Sequence, residues 1–359
     1  MQGSLNSMVL TPDIIDRIIL LFSVFMGGLL LIMGTLLVFY GNRHRLRAKR
    51  QQLAQTVVQK AIFHDSADQN KYGFYGYKYI RDRRFRDVLI ANIITARKNL
   101  TGSAFVQLKQ LYEQLQLEKY ALRKLLSPRW HLKAQAIQEL ATLQLVQYIP
   151  KLLKLINHPN EFVRVEAQTA LLQLQGFDGL AFLNLVAYPM SDWQQVKLLH
   201  ELHELPITAD TEITKWLKSE NDTVCVFAIR IIKQFHQFQV HDALISCLDH
   251  PNPRVRKETI LTLKGIYTAE TSKQLKERYL DETPENQLAM MQVLQCIGTA
   301  NDLDFLKVNI NCANNELKVA VIRAIAAIDK IELTSLERRE GNSHYPLPEI
   351  IKQVKGELS

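Results

Sequence analysis

Apolar residues recur along this chain with a period longer than any helical repeat. HPNEFVRVEAQTALLQL at 158–174 and HPNPRVRKETILTLKGI at 250–266 share an opening His-Pro-Asn and a Val-Arg pair. Aligned on Arg164 and Arg256 and stepped by 31 residues, with one step of 30, the chain yields anchors at Lys133, Arg164, Gln195, Cys225, Arg256, Gln287 and Lys318. Three residues beyond each anchor stand Ala136, Ala167, Leu198, Ala228, Thr259, Met290 and Val321. Seven beyond stand Leu140, Leu171, Leu202, Ile232, Leu263, Leu294 and Ile325, and ten beyond stand Leu143, Leu174, Leu205, Phe235, Ile266, Ile297 and Ile328. Apolar positions at +3, +7 and +10 with polar ones between form the stripe of an amphipathic helix. Shorter apolar patterns at 149–156, 179–187, 211–219 and 242–249 supply a second helix to each unit. A hairpin of about 31 residues cannot bury its own stripe, so the pattern predicts stacking into an all-α solenoid of about seven hairpins. Pro159, Pro251, Pro253 and Pro284 precede the anchored helix, where a missing N–H costs nothing.

A second pattern precedes the first. Residues 18–40 run 23 positions without a charge, which as a helix is roughly 34 Å and enough to cross the ~30 Å hydrocarbon core. The run has no polar face, and it lacks the basic start and small-residue cleavage site of a signal peptide. A retained, single transmembrane helix is predicted. Directly after it, Arg43, Arg45, Arg47, Lys49 and Arg50 stand with no acidic residue among them. By the positive-inside rule the N-terminus lies outside and the repeats lie in the cytoplasm, as in a single-pass inner-membrane protein. Anionic lipid headgroups are the expected partners of these five residues, at about 1 kcal/mol each.

Charge changes this picture little. The net charge is +8, yet residues 41–100 alone hold 14 Lys/Arg against four Asp/Glu. The repeats are therefore near neutral. Within the basic segment, KYGFYGYKYIRDRRFR at 71–86 interleaves aromatics with arginines. Tyr75, Tyr77, Arg83 and Arg84 are candidates for docking a membrane partner. The same mixture binds single-stranded nucleic acid, a reading that a near-neutral solenoid disfavours.

Val163-Arg164 with Ala167, and Val255-Arg256 with Thr259, resemble the second helix of the HEAT repeat, particularly the shorter bacterial HEAT-like, PBS-lyase-type repeat. The resemblance covers roughly residues 115–329. It is conservative at Lys133 and Lys318 and departs from the pattern at Gln195, Cys225 and Gln287. Asn160 and Asn252 stand where the family carries a turn aspartate. The resemblance implies a HEAT-like α-solenoid whose anchor arginines bond turn groups of adjacent units as a ladder. The other reading places Arg164, Arg256 and Lys318 on an exposed basic line that binds an acidic protein partner.

The expected organisation is a short extracytoplasmic tail at 1–17, a transmembrane helix at 18–40, a basic juxtamembrane linker at 41–84, an N-terminal helical cap at 85–125, repeats at 126–330 and a C-terminal cap or tail at 331–359. No catalytic, cofactor or metal site is expected. HELHEL at 200–205 spaces its histidines i, i+3 rather than i, i+4, and the di-iron HEAT hydroxylases draw His-Glu pairs from facing repeats. His158 and His250 read as solvated turn residues, and Cys225, Cys247, Cys296 and Cys312 as reduced core thiols. The function these features imply is a membrane-anchored scaffold or adaptor for a membrane-associated protein, with envelope glycan synthesis as a setting. The rivals are a HEAT-type enzyme, either a bilin lyase or a metal-dependent hydroxylase, and nucleic-acid binding through residues 71–86. The small-residue spacing Ser23, Gly27 and Gly34 permits helix association without fixing an oligomeric state.

Overall fold

A computed structural model of the chain describes residues 12–63, 79–100, 102–203, 211–311, 314–340 and 346–357. Among them every regular element is a helix. The chain divides into two compact units, residues 1–123 and 124–359.

In the first unit, α1 (Pro12–Phe63) is one continuous helix of 52 residues. Its side chains from Leu20 to Tyr40 are exposed throughout, so the apolar run has no partner among the described residues, and it is long and apolar enough to cross a membrane. The segment expected as a linker, 41–84, is helical as far as Phe63. The reason lies in its own spacing: Leu53, Ala54, Val57, Val58, Ala61 and Ile62 recur at three and four residues, and Ala54 and Val58 are buried. This stripe packs on α2 (Arg83–Asn99) and α3 (Ser103–Gln114). Phe85, Leu89, Ile90 and Ile93 of α2 and Leu108, Leu111 and Tyr112 of α3 complete that core. Asp82 caps α2 by accepting from the N–H of Arg84. The division between units falls within α4 (Glu118–Leu125).

In the second unit the anchored helices are α5 (Trp130–Thr142), α7 (Glu161–Gln175), α8 (Asp192–Leu202), α10 (Asp222–Gln234), α12 (Pro253–Leu263), α14 (Pro284–Ile297) and α16 (Asn315–Ile328). They alternate with short elements: α6 (Ile149–Leu153), a 3-10 stretch (Gly176–Leu185), α9 (Thr211–Trp216), α11 (His241–Ser246), α13 (Thr271–Arg278) and α15 (Leu303–Val308). The result is an all-α solenoid. Every residue of the +3 and +7 columns is buried, so these positions are its continuous core. The +10 column is not uniform: Leu143 and Ile266 are buried, Leu174, Phe235, Ile297 and Ile328 are half-buried, and Leu205 lies outside the described residues. Ten positions bring the stripe to the fraying end of the helix, where neighbours cover it less.

One hairpin departs from the expected helix pair. Its short element at 176–185 is 3-10 rather than α, because Gly176 takes φ +65 and breaks the preceding helix. Gly179 then lets the backbone close on α7, where a Cβ would stand 2.5 Å from the carbonyl oxygen of Leu171. At the far end, α17 (Lys330–Glu340) and α18 (Leu347–Glu357) pack on α16 and bury Leu333, Leu336, Ile350, Ile351 and Val354. Arg323 grips Glu357 there with two bonds, at 2.8 and 2.9 Å.

Candidate functional site

The His-Pro-Asn…Val-Arg motif proves to be a turn that satisfies its own backbone. In both copies the histidine Nδ1 accepts from the N–H two residues on, from Asn160 to His158 and from Asn252 to His250, each at 3.1 Å. The asparagine side chain then caps the helix, accepting from Val163 N–H in one copy and Arg254 N–H in the other. The arginine reaches back to the carbonyls of the histidine and the proline: Arg164 at 2.9 and 3.0 Å, Arg256 at 2.8 and 3.1 Å. Neither histidine is the solvated residue expected, since both are only partly exposed. Burial, with Lys133 and Arg164 nearby, holds His158 below the ordinary imidazole range. It serves as a neutral acceptor.

The anchor column shares this role although its residue types differ. Lys133 donates to Leu125 O, Gln195 to Met190 O and Thr223 O, Cys225 to Leu217 O and Ser219 O, and Gln287 to Tyr279 O. Each reaches a carbonyl five to eight residues upstream, as the arginines do, and Gln195 adds one in the next turn. The departures from arginine at Gln195, Cys225 and Gln287 are therefore substitutions of one donor for another. Around Lys318 the corresponding turn lies partly outside the described residues.

This geometry corrects the exposed basic line. Arg164 is 9% exposed and stacks on Tyr188, its guanidinium carbon 4.5 Å from the ring centroid. Arg256 grips the nearly buried carboxylate of Glu282 with two bonds, at 2.7 and 3.0 Å. Both guanidiniums are spent within the chain, and both bridge to the following hairpin. Lys318 is half-buried. A capping column stands four residues before every anchor except Lys133, where Arg129 makes no side-chain cap. Asn160, Ser191, Asn221, Asn252, Thr283 and Asn314 all cap their helices through the side chain. The signal was present as a column of Asn, Ser and Thr. Among the thiols, Cys225 and Cys247 are buried, the latter pushed up to about 12 by burial, but Cys296 is exposed. It lies nine positions past its anchor, off the buried stripe. Cys312 lies outside the described residues.

Two surfaces remain open. On the first unit, Arg43, Arg47 and Arg50 share one face of α1 at i, i+4 and i+7, and with Arg84 of α2 they line a groove of about 760 Å3. Arg45 and Lys49 lie outside that lining. Arg50 donates to Asp82 at 2.9 Å. Arg84's own N–H, with Arg50's guanidinium, holds the Asp82 carboxyl below the usual carboxylate range. Arg83 is exposed on the same helix, 3.9 Å from Asp87. Two clusters that stood apart in sequence are thus neighbours, while Tyr75 and Tyr77 lie outside the described residues.

On the second unit, Trp130, Phe162 and Trp193 project from the first turns of three successive anchored helices, 45%, 55% and 55% exposed. Trp130 and Phe162 stack with centroids 5.1 Å apart. Glu161 accepts from Ser191 Oγ at 2.8 Å, which ties the start of α8 to that of α7. The row continues into charge. Asp192 holds Arg230 at 2.9 Å and Arg254 at 2.6 Å, and these pairings lower its carboxyl below the usual range. Arg230 also reaches Gln195 Oε1 and Glu258. The periodicity could not expose this surface, because aromatic residues two or three positions before the anchor read as ordinary helix starts.

The family model for HEAT repeats matches residues 211–295. These residues are HEAT repeats. The HEAT segment contains the turn donors Cys225, Arg256 and Gln287 together with their caps Asn221, Asn252 and Thr283, and the same device continues outside it at Arg164 and Gln195. Among solved structures the chain is similar to an engineered protein, with 14% identity over 86% of this chain and 95% of that one and a TM-score of 0.37. It is similar to human deoxyhypusine hydroxylase, with 14% identity over 78% and 97% and a TM-score of 0.31. It is also similar to Kap121p, with 12% identity over 86% of this chain but 37% of that one and a TM-score of 0.34. No curated protein matches the chain in sequence.

Proposed function

We propose that the chain is a membrane-anchored HEAT-repeat scaffold that binds a membrane-associated protein without catalysing a reaction. The observation that carries the reading is the row of Trp130, Phe162 and Trp193. Large aromatics left in water on consecutive repeats forfeit burial energy that a partner recovers, and Trp and Phe are enriched at the centres of protein interfaces. The adjoining Asp192, Arg230, Arg254 and Glu258 supply a charged rim that orients the partner. The fully exposed apolar run of α1 supports the anchor, and the basic residues directly after it support a cytoplasmic repeat domain.

Capture from detergent extracts tests this reading. Full-length protein carrying Phe162→Ser and Trp193→Ser should lose the proteins that wild type retains, while His203→Ser, a change at an exposed residue off the row, should keep them. Recovery of identical proteins by all three would refute the scaffold reading. Elemental analysis and absorbance of the same preparations address catalysis, since a stoichiometric metal or chromophore would favour an enzyme.

A further inference from the structure

The groove on the first unit carries charge that its own neighbours do not neutralise. Its wall comes from Arg43, His44, Leu46, Arg47, Ala48, Arg50 and Gln51 of α1 and from Arg84, Asp87 and Val88 of α2. Arg50 is held by Asp82, and Asp87, the carboxylate of the lining, faces Arg83. Arg43, Arg47 and Arg84 are left without a carboxylate among the described residues. Three guanidiniums around one cavity repel each other until an anion joins them, and their planar forks match phosphate oxygens two at a time. Leu46, Ala48 and Val88 add apolar wall beside them.

Position narrows the anion further. Arg43 follows Tyr40, the end of the uncharged run, by three residues, or about 5 Å of helix rise. In a helix that spans a bilayer, this is the level of the headgroup phosphates. Three cations without a carboxylate partner, Arg43 resting on the Phe39 ring at 5.0 Å, suit a phosphomonoester, which carries close to two charges at neutral pH, better than a diester with one.

We propose that this groove binds the phosphomonoester headgroup of an anionic membrane lipid, with Arg43 and Arg47 of α1 and Arg84 of α2 as its ligands. The proposal rests on the reading of α1 as membrane-spanning. It differs from general attraction to an anionic surface in one respect. Arg84 belongs to a different helix from the basic run, and Arg45 and Lys49 of that run take no part.

The full chain is reconstituted into nanodiscs of phosphatidylcholine containing either phosphatidic acid or phosphatidylglycerol at matched surface charge, and retained lipid is counted by native mass spectrometry. Wild type should keep phosphatidic acid in preference to phosphatidylglycerol. Arg84→Gln should lower that retention about tenfold, the scale of one lost charge-assisted pair, whereas Arg45→Gln should change it by less than about twofold. Equal losses from both variants would mean surface charge alone and overturn the groove. Equal retention of the two lipids would overturn the phosphomonoester assignment. Inorganic phosphate bound as tightly by detergent-solubilised protein, and lost with Arg84→Gln, would overturn the lipid as source. A wild-type chain that fails to enter the nanodisc overturns the membrane reading itself, and the headgroup proposal with it.

Discussion

Arg256→Leu separates the two arginines that look alike in sequence. Both donate to two turn carbonyls, but Arg256 alone also holds Glu282, whose side chain is 3% exposed. Leucine keeps most of the stem and removes every donor, so Glu282 is left with the amide of Asn286 at 2.8 Å as its remaining partner. Removing one member of a buried pair costs about 3–5 kcal/mol, and the lower end applies because Arg256 is itself 16% exposed. Arg164→Leu strands no carboxylate and forfeits two carbonyl bonds and the stack on Tyr188, or about 1–2 kcal/mol. Urea unfolding of the full chain in detergent micelles, followed by far-UV circular dichroism, measures both. At an m-value of about 3 kcal/mol/M, the Arg256→Leu midpoint falls by about 1 M and the Arg164→Leu midpoint by about half that. Glu282→Gln placed in the Arg256→Leu background removes the stranded charge and should recover part of the loss. If Arg256→Leu costs no more than Arg164→Leu, or if Glu282→Gln deepens its loss, the buried pair is not what distinguishes the sites.

Three further outcomes follow from the turns and the core. His158→Ala should cost about 1 kcal/mol by removing the acceptor for Asn160 N–H, and His158→Asn, which can accept the same bond, should cost less. Because the folded value of His158 is lowered, its contribution is fully present above about pH 6.5 and is lost as pH falls through that folded value. Stability of His158→Asn, followed across that range, should lack this component. Asp302 is buried. Burial alone would raise its carboxyl, but bonds from Lys276, Ser272 and Thr299 N–H outweigh that and lower it. Its contribution is therefore present above about pH 4 and is lost as pH falls through the lowered value, so the stability gap between wild type and Asp302→Asn should narrow in acid. Maleimide labelling with mass mapping should modify exposed Cys296 in the folded chain and reach Cys225 and Cys247 only on unfolding; early labelling of Cys247 would contradict its burial.

The columns at +3 and +7 were legible because burial in a stack of similar hairpins repeats with the chain, and each column ended fully buried. The uncharged run of 18–40 was legible for a related reason, since length and composition are properties of one segment. Less was legible where two chemically different side chains meet the same need. Gln195, Cys225 and Gln287 look like lapses from an arginine pattern, yet each donates to a turn carbonyl as the arginines do. A donor within reach of an upstream oxygen is a geometric requirement, and residue identity records it only loosely.

The helix at 41–63 is a different case. Its three-and-four spacing is present in the letters, but a dense run of arginines at 43–50 is equally compatible with a solvated linker, and only the packing of Ala54 and Val58 on α2 and α3 distinguishes the two. Sequence by itself determined the repeat, its phase and the place of its core, because hydrophobic burial at helical spacing leaves a periodic trace. Only the tertiary structure decided what the non-periodic residues do. It folded Arg164 and Arg256 inward onto carbonyls and Glu282, brought Arg84 beside Arg43 and Arg47, and aligned Trp130, Phe162 and Trp193 on successive helices. These are relations between residues distant in the chain, set by how helices pack, and no local spacing encodes them.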